Sequence, residues 1–503
     1  MHDERSLPWY RRDNWLAVAF LLLLSFFTVF WNFWTPQALF WDENYHIASA
    51  QKYLNGVFFM EPHPPLGKLM IAAGEKLLNF NEKDDQFIDT DYAKNPPPGF
   101  IFTGYRFFPV LLAWLTVVLI FGIFFLLTRN TLWSTLLSFL YVFDNAILVH
   151  LRSAMLESTL IFFLCLTIFA FLLAMDERHT DKLKWIGLLI GAAFGAVMTT
   201  KVNGLILLLL GLPLLVRFWS QWRQLWNFTW PTVVGFLFVF CSVWQIHFSV
   251  ADRILPALPD GGYYQASEEY KAILTAGATS NPLAFATMMR DSQSFVGHYE
   301  AGVPRLDLCK MDENGSPYFF WPIGGRTINY RWETPNEGFH YKYLYLVPNP
   351  VVWGVGLLGL LFTLVIFLSS AFLSLKELPS RKTLLLLGSF ALLYLGYMGA
   401  MSTLDRVMYL YHYFPPLLFS FFLFAISFFE LKRIAGWELN HLRRTSILMV
   451  LAALIFVGFE FYRPLSHYEP ISDAAFERRS IIRLWEMKCV HCEKESMLVV
   501  PRN

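Results

Sequence analysis

The chain has 503 residues, of which 55% are hydrophobic, 18% aromatic and only 16% charged. With a mean hydropathy of +0.42 this composition excludes an ordinary soluble globular protein and reads as a polytopic membrane protein. A formal net charge of +1 excludes a global field that would draw in nucleic acid, and five cysteines are too few for a fold built on disulfides.

About eleven apolar runs are long enough to cross the hydrocarbon as helices. They lie near 15–34, 107–127, 132–149, 156–175, 185–200, 202–219, 232–250, 349–370, 384–402, 413–430 and 446–462. The first follows Arg11 and Arg12 and lacks a small-residue cleavage site, so it reads as a retained span. Alternate short connections carry Arg129, then Arg178, Lys182 and Lys184, then Arg223, then Lys376, Arg381 and Lys382, then Lys432, Arg433, Arg443 and Arg444. Short connections on the other side carry about one cation each, Arg152, Lys201 and Arg406. This asymmetry predicts a cytoplasmic N-terminus, and an odd number of spans then puts the C-terminus outside.

The expected organisation is an N-terminal transmembrane part over 1–250 that carries an outer loop, 35–106, followed by an outer loop domain over 251–348. A C-terminal transmembrane part over 349–462 and an outer tail over 463–503 complete it. Within the first outer loop, "NYHIASAQKYL" and "LGKLMIAAGEKLL" have helical apolar spacing, with Leu66, Leu69, Met70, Ala73 and Leu77 on one stripe. Such helices lie on a bilayer surface. Pro64 and Pro65 suit the start of the second, where a missing amide costs nothing. His63 and Lys68 therefore sit at a rigid corner.

Polar residues at membrane depth stand out next, because each is costly there unless it faces a cavity or another charge. Asp42 and Glu43 fall at the outer end of the first span and Arg106 at the outer end of the second. Asp144 and Asn145 interrupt the third, and Arg152 and Glu157 open the fourth. Each has a plainer reading: interfacial anchors for Asp42 and Glu43, a structural ion pair for Asp144, Arg152 and Glu157, a tight turn with a snorkelling lysine for Lys201 and Asn203, and a cap for His63.

Taken in order, "WDENYH", "HPPLGK", "GYRFFP", "FDNAILVHLRSAMLES", "TTKVNG", "YFFWPIGGRTINY" and "YLYHYFPPLLF" resemble the protein O-mannosyltransferase family, the polyprenyl-phosphate-mannose-dependent enzymes of the GT-C class. The resemblance runs over about residues 15 to 430. It implies an α-helical polytopic GT-C fold with outer-face interfacial helices and a catalytic acidic pair after the first span. Eukaryotic members of this family have a large lectin-like module between the seventh and eighth spans, whereas 251–348 holds under a hundred residues. That favours a bacterial-type enzyme of the plasma membrane with its active site on the periplasmic face. The family commonly has aspartate where this chain has Glu157, so no firm role is carried over to that position.

The chemistry so implied moves a hexose from a lipid phosphate to a hydroxyl, which needs a carboxylate to take the proton and cations or dipoles to stabilise the departing phosphate. Asp42 is the candidate base and Glu43 its helper. Arg106 is the candidate phosphate partner, with Lys68 and Arg152 next, because a guanidinium can hold two phosphate oxygens at once. His63, Asp144, Asn145, Glu157, Lys201, Asn203 and His412 are supporting candidates. One base and no covalent sugar implies inversion. No nucleotide fingerprint is present and no nucleotide site is required; no cofactor is assigned, and a divalent cation is left open.

The aromatic-rich stretches "DGGYYQ", "GSPYFFWPIGGRTINYRWE" and "YKYLYLVP" suit an acceptor peptide or sugar, or the membrane interface. The expected partners are a polyprenyl-phosphate-mannose donor, an acceptor protein or peptide, and membrane lipid. Rival readings are a GT-C transferase acting on lipid A or a glycan, a lipid-linked-sugar transporter or flippase, for which no inverted internal repeat is visible, and a non-catalytic lipid-binding scaffold. In the tail, Cys489 and Cys492 make half a zinc site at best. A disulfide between them, or from one of them to Cys309, is the expectation in an oxidising compartment; Cys165 and Cys241 fall inside spans as packing residues.

Overall fold

The computed structural model describes residues 12–256, 260–310, 313–334, 340–372, 379–434 and 436–490. The N-terminal half contains α1 (Arg12–Ser25), prolonged by a π-helical turn (Phe26–Phe30), then α2 (Glu43–Leu54), α3 (Leu66–Leu78), α4 (Thr103–Thr128), α5 (Thr131–Val142), α6 (Asn145–Leu151), α7 (Glu157–Ala174), α8 (Leu183–Met198), α9 (Gly211–Phe218) and α10 (Trp222–Val250). The outer loop that follows holds α11 (Gly261–Gln265), α12 (Glu268–Thr275), α13 (Phe285–Gly302), β1 (Ile328–Glu333) and β2 (Tyr341–Leu346). The C-terminal part contains α14 (Pro350–Ser370), α15 (Arg381–Ser402), α16 (Phe414–Glu430), β3 (Arg433–Ile434), β4 (Trp437–Glu438), α17 (His441–Ser466), β5 (Pro470–Ile471) and α18 (Asp473–Glu477).

Among the described residues eight helices are long and apolar enough to cross a membrane, and nine if the bent pair α5 and α6 is one span. This is a multi-pass membrane protein. The runs expected near 185–200 and 202–219 are also helical, but short: α8 has 16 residues, and 202–218 is a 3₁₀ stretch leading into α9. The third span breaks where Asp144 interrupts it, by 64° between α5 and α6. Asp144 does not act as a membrane charge; its Oδ1 accepts the Ile147 amide as the cap of α6. Oδ2 accepts from the Asn349 amide and from Trp353 Nε1 at 2.9 Å. A capped break satisfies the backbone groups that a kink inside the bilayer would otherwise expose.

Close backbone approach organises the spans, because lipid offers helices no hydrophobic drive to associate. On α8, Gly187, Gly191 and Gly195 recur every fourth residue and face α10. A Cβ at Gly191 would lie 1.9 Å from the Thr232 carbonyl oxygen, and one at Gly187 2.5 Å from that of Phe228. Gly191→Val is therefore expected to force the two helices apart and to lower the melting temperature of the purified protein by several degrees. Gly388→Ala on α15, where a Cβ meets nothing within 4 Å, is the control and should be neutral or stabilising, since it gains helix propensity of about 1 kcal/mol. Equal melting of the two variants would remove the glycine-stripe explanation.

One face of the bundle is built from both long loops and the tail. Strand β1 pairs with β2 antiparallel, and β5 of the tail adds to the other edge of β2. Tyr343, Tyr345, Phe476 and Trp485 close a small core beneath them. The two outer loops are joined by Lys52 on α2, which is ion-paired to Asp91 in its own loop and to Asp260 at 2.9 Å.

Helix α3 has the expected amphipathic spacing, with two of its charged residues turned inward and Lys76 exposed. Lys68 and Glu75 are buried, while Leu66, Leu69, Met70 and Ala73 line the opposite stripe and Leu77 is exposed. The apolar stripe thus remains available to lipid, as in a helix lying in the interface. Gly74 and Gly104 let α3 rest directly on the start of α4, since a Cβ at Gly74 would lie 2.3 Å from the Gly104 carbonyl oxygen. Helix α2 differs from the bilayer-surface helix that its spacing predicts. Its residues from His46 to Tyr53 are all buried, because the 80–102 segment folds over it through Gln51–Gln86 and Asn55–Asp84 hydrogen bonds, and the start of α4 adds a Gln51–Tyr105 bond.

Candidate active site

Asp42 is the residue just before α2, half-buried at the loop-bearing end of the bundle. Among the described residues its carboxylate accepts one hydrogen bond, from the Tyr411 hydroxyl at 3.1 Å. Burial raises its pKa from the ordinary aspartate value, and the nearby Lys201 ammonium opposes that rise. The carboxylate is therefore only partly satisfied, in a low-dielectric setting and beside a cation, as a proton acceptor should be.

A second layer supports it. Glu157, at the start of α7, is ion-paired to Lys201 and lies 2.9 Å from His150 Nε2. His150 Nδ1 is 2.6 Å from the Tyr330 hydroxyl on β1, and its ring stacks on Tyr411 at 4.5 Å. Lys201 Nζ lies over the Tyr411 ring at 5.6 Å. Asn203 donates to the Tyr397 hydroxyl, which donates to the His412 carbonyl; His412 itself stacks on Tyr411 at 4.6 Å. So Lys201 is not a snorkelling turn residue. It is a buried cation that faces the acid.

His63 is held neutral at the same place. Burial, then the positive charges of Lys201 and Lys68, keep its pKa well below the usual histidine value. Lys68 is buried and ion-paired to Glu61, which also accepts from the Ser49 hydroxyl.

The other sequence candidates have different surroundings. Arg106 and Glu43 are both fully buried, and they pair through two parallel bonds of 2.7 and 2.8 Å. The remaining Arg106 donors go to the carbonyls of Trp34, Pro36 and Ala38, and Glu43 also accepts the Ala154 amide at 2.9 Å. A guanidinium has five N–H donors, and all five are in use, which leaves none for a phosphate. The pair ties the segment after α1 to α4 and to the break before α7, and so fixes where Asp42 stands. Asn145 donates to the Phe459 carbonyl and to Ser466, on α17. Arg152 donates to the Trp31 carbonyl, on the side of α6 towards α1. Asp144, Arg152 and Glu157 are thus not paired with one another.

His150, Tyr411 and Tyr330 lie inside the motifs quoted above, yet spacing alone does not single them out. A histidine two residues before an arginine at membrane depth was the available signal. Aromatic rings collar the acid: Trp41 meets Tyr409 edge-on at 5.0 Å and Tyr330 at 5.2 Å, and the exposed Tyr45 meets Tyr92 at 4.8 Å. Among the described residues no group of three or more His, Cys, Asp or Glu is placed to hold a metal ion. Cys489 is disulfide-bonded and Cys309 keeps its thiol, so the expected pairing through Cys309 does not form; Cys492 lies outside the described residues.

A family profile described as dolichyl-phosphate-mannose-protein mannosyltransferase matches residues 19–259, and one described as the C-terminal four-transmembrane region of protein-O-mannosyltransferase matches 286–485. The chain belongs to the protein O-mannosyltransferase family. Among curated relatives it is 29% identical over 251 residues to protein O-mannosyltransferase 1 of Drosophila melanogaster, covering 47% of this chain and 28% of that protein. It is 30% identical over 215 residues to dolichyl-phosphate-mannose–protein mannosyltransferase 4 of Schizosaccharomyces pombe, covering 41% of this chain and 27% of that protein. The chain thus spans under a third of the length of either. In fold it is similar to the S. cerevisiae protein O-mannosyltransferase Pmt1-Pmt2 complex bound to the sugar donor, with a TM-score of 0.79 at 14% identity over 97% of this chain and 95% of that one. The Archaeoglobus fulgidus oligosaccharyltransferase superposes more loosely, with a TM-score of 0.50 at 11% identity over 92% of this chain and 57% of that one. The architecture is that of GT-C glycosyltransferases.

Neutralising Lys201 tests the electrostatics within this family's site. If Asp42 serves as a base it works only when ionised, and activity would be lost as pH falls through the Asp42 pKa. Lys201→Met removes the cation that opposes the burial-driven rise, and the acid limb of the pH–rate profile should move to higher pH. An unmoved limb in an active Lys201→Met protein would show that Lys201 does not act on Asp42.

Proposed function

We propose that this chain is a membrane glycosyltransferase that moves a hexose, mannose by its family, from a polyprenyl-phosphate-linked donor to Ser or Thr hydroxyls of exported proteins. The observation that carries this reading is the half-buried Asp42 carboxylate, with a single hydrogen-bond partner among the described residues, set beside Lys201 and ringed by tyrosines. Asp42 takes the hydroxyl proton as the oxygen attacks the anomeric carbon, and the sugar–phosphate bond breaks on the opposite face, so the anomeric centre inverts. Lys201 is better placed than Arg106 to face the departing phosphate, because it acts electrostatically on Asp42 and Arg106 has no donor left. The Tyr45, Tyr92 and Tyr409 collar suits an extended acceptor segment, as aromatic rings pack against both peptide and sugar.

The 1–250 and 349–462 parts are read as the membrane-embedded enzyme, with 251–348 and 463–503 as its outer cover. The cationic connections, Lys432 to Arg444 among them, support a cytoplasmic side opposite Asp42. With under a hundred residues in the main outer loop, a bacterial plasma membrane and a periplasmic active site fit best. A reporter fused after residue 503 should be exported and one inserted within 432–445 should remain cytoplasmic; exchanged signals would put Asp42 on the wrong face. The deciding experiment for the acceptor is mass spectrometry of exported proteins with and without this chain. Hexose on Ser or Thr that disappears with the chain supports protein transfer, whereas unchanged proteins and an altered lipid A or glycan would reassign the acceptor.

A further inference from the structure

We propose that the cavity between the outer ends of α1 and α17 binds one glycerophospholipid of the outer leaflet, at a site separate from that around Asp42. The cavity holds about 610 Å³. Both helices bounding it are among the least buried spans, with 28% of their apolar windows inside the protein, so it opens to lipid. None of Tyr411, His150 or Lys201, which surround Asp42, lines it.

Its walls change character in the outward direction on both helices. Leu24 and Phe27 give way to Thr28 and Trp31 along α1 and its π turn, and Phe456 and Phe459 give way to Glu460, Arg463 and His467 along α17. An apolar floor under a charged rim matches acyl chains below a headgroup at the membrane surface.

The charge balance at the rim points to an anion. Arg463 is already engaged by Glu460 at 2.9 Å and by Glu469. Lys342 is not paired with any carboxylate among the described residues; its ammonium lies 6.0 Å over the Tyr468 ring. Just behind Trp31 stands Arg152, only 7% exposed. It too lacks a carboxylate partner among the described residues, donates from Nη2 to the Trp31 carbonyl at 2.8 Å, and leaves Nε without a hydrogen bond. Counted together, Arg152, Lys342 and Arg463 stand against Glu460 and Glu469, with Glu469 acting on Arg152 as well as on Arg463, so one positive charge at this lipid-facing cavity is left without a counter-charge. Burial, with the charges of Arg152 and Arg463, also holds His467 well below the usual histidine range, so His467 stays neutral and does not repel its neighbours. A phosphodiester supplies the missing negative charge.

The test is native mass spectrometry of the full chain in detergent, titrated with palmitoyl-oleoyl phosphatidylglycerol. The wild type should retain one copy. Lys342→Glu should lower that retention about tenfold or more, as expected for losing a charge-assisted contact, and Lys342→Arg should keep it. Leu24→Trp fills the apolar floor without touching a charge and should also lower it about tenfold. Undiminished retention in both Lys342→Glu and Leu24→Trp would overturn the site. Displacement of the retained lipid by an equimolar polyprenyl phosphate would overturn it as well, by making the cavity a donor or product lane.

Discussion

Asp42→Asn is expected to lower sugar transfer by roughly 10²- to 10⁴-fold, the loss that accompanies removal of a general base. The substitution keeps the size of the side chain and can still accept the Tyr411 hydroxyl proton, so the collar and the His150 stack should stand. What it cannot do is take the acceptor's proton. Folding and donor affinity should survive, and measuring donor binding beside turnover separates a lost base from a lost site. An Asp42→Asn protein that transfers at near wild-type rate would remove the base assignment, and one that fails to insert would return Asp42 to the role of an interfacial anchor. Glu43→Gln should act differently, through misplacement of the loop, because Glu43 is fully buried against Arg106 and does not face the site.

Arg106→Ala should be the most destabilising single change near the site. It leaves the Glu43 carboxylate buried with no cation, and frees three carbonyls, of Trp34, Pro36 and Ala38, that had a donor. Breaking one side of a buried pair costs about 3–5 kcal/mol, a large share of the roughly 5–15 kcal/mol that holds a domain folded. Loss of folded protein, rapid proteolysis of the 31–42 segment and a lowered melting temperature are the expected signs. Arg106→Lys should recover only part, since an ammonium offers three donors where the guanidinium offers five. Removing both charges with Arg106→Met and Glu43→Gln should recover more than either single change, because no unpaired charge then remains buried. If Arg106→Ala instead stays folded and only its donor affinity falls, the phosphate contact predicted from sequence is restored and the positioning role is wrong.

The membrane class and the helical segments, including the two short ones, followed from local composition, because a span has to satisfy its own backbone and present apolar side chains wherever it meets lipid. Asp42 stood out as a candidate for a similar reason: a carboxylate at the end of a span, inside a stretch that resembles a known family, has few uses. The partners of the charges were not legible. Arg106 and Glu43 are 63 positions apart in the chain, Lys201 and Glu157 are 44 apart, and Tyr411 reaches Asp42 across 369. Periodicity describes one element at a time and carries no information about such separations. Burial alone could not assign the roles either, since Glu43 and Asp144 are buried as completely as any catalytic group. What distinguishes Asp42 from them is how many donors the fold aims at each carboxylate: Glu43 and Asp144 are fully engaged by guanidinium, amide and indole N–H groups, whereas among the described residues Asp42 has one phenol. That count depends on the packing of α4, α6, α7 and α16 around the first long loop, so only the tertiary structure could separate the two carboxylates with full sets of donors from the one proposed to accept a proton.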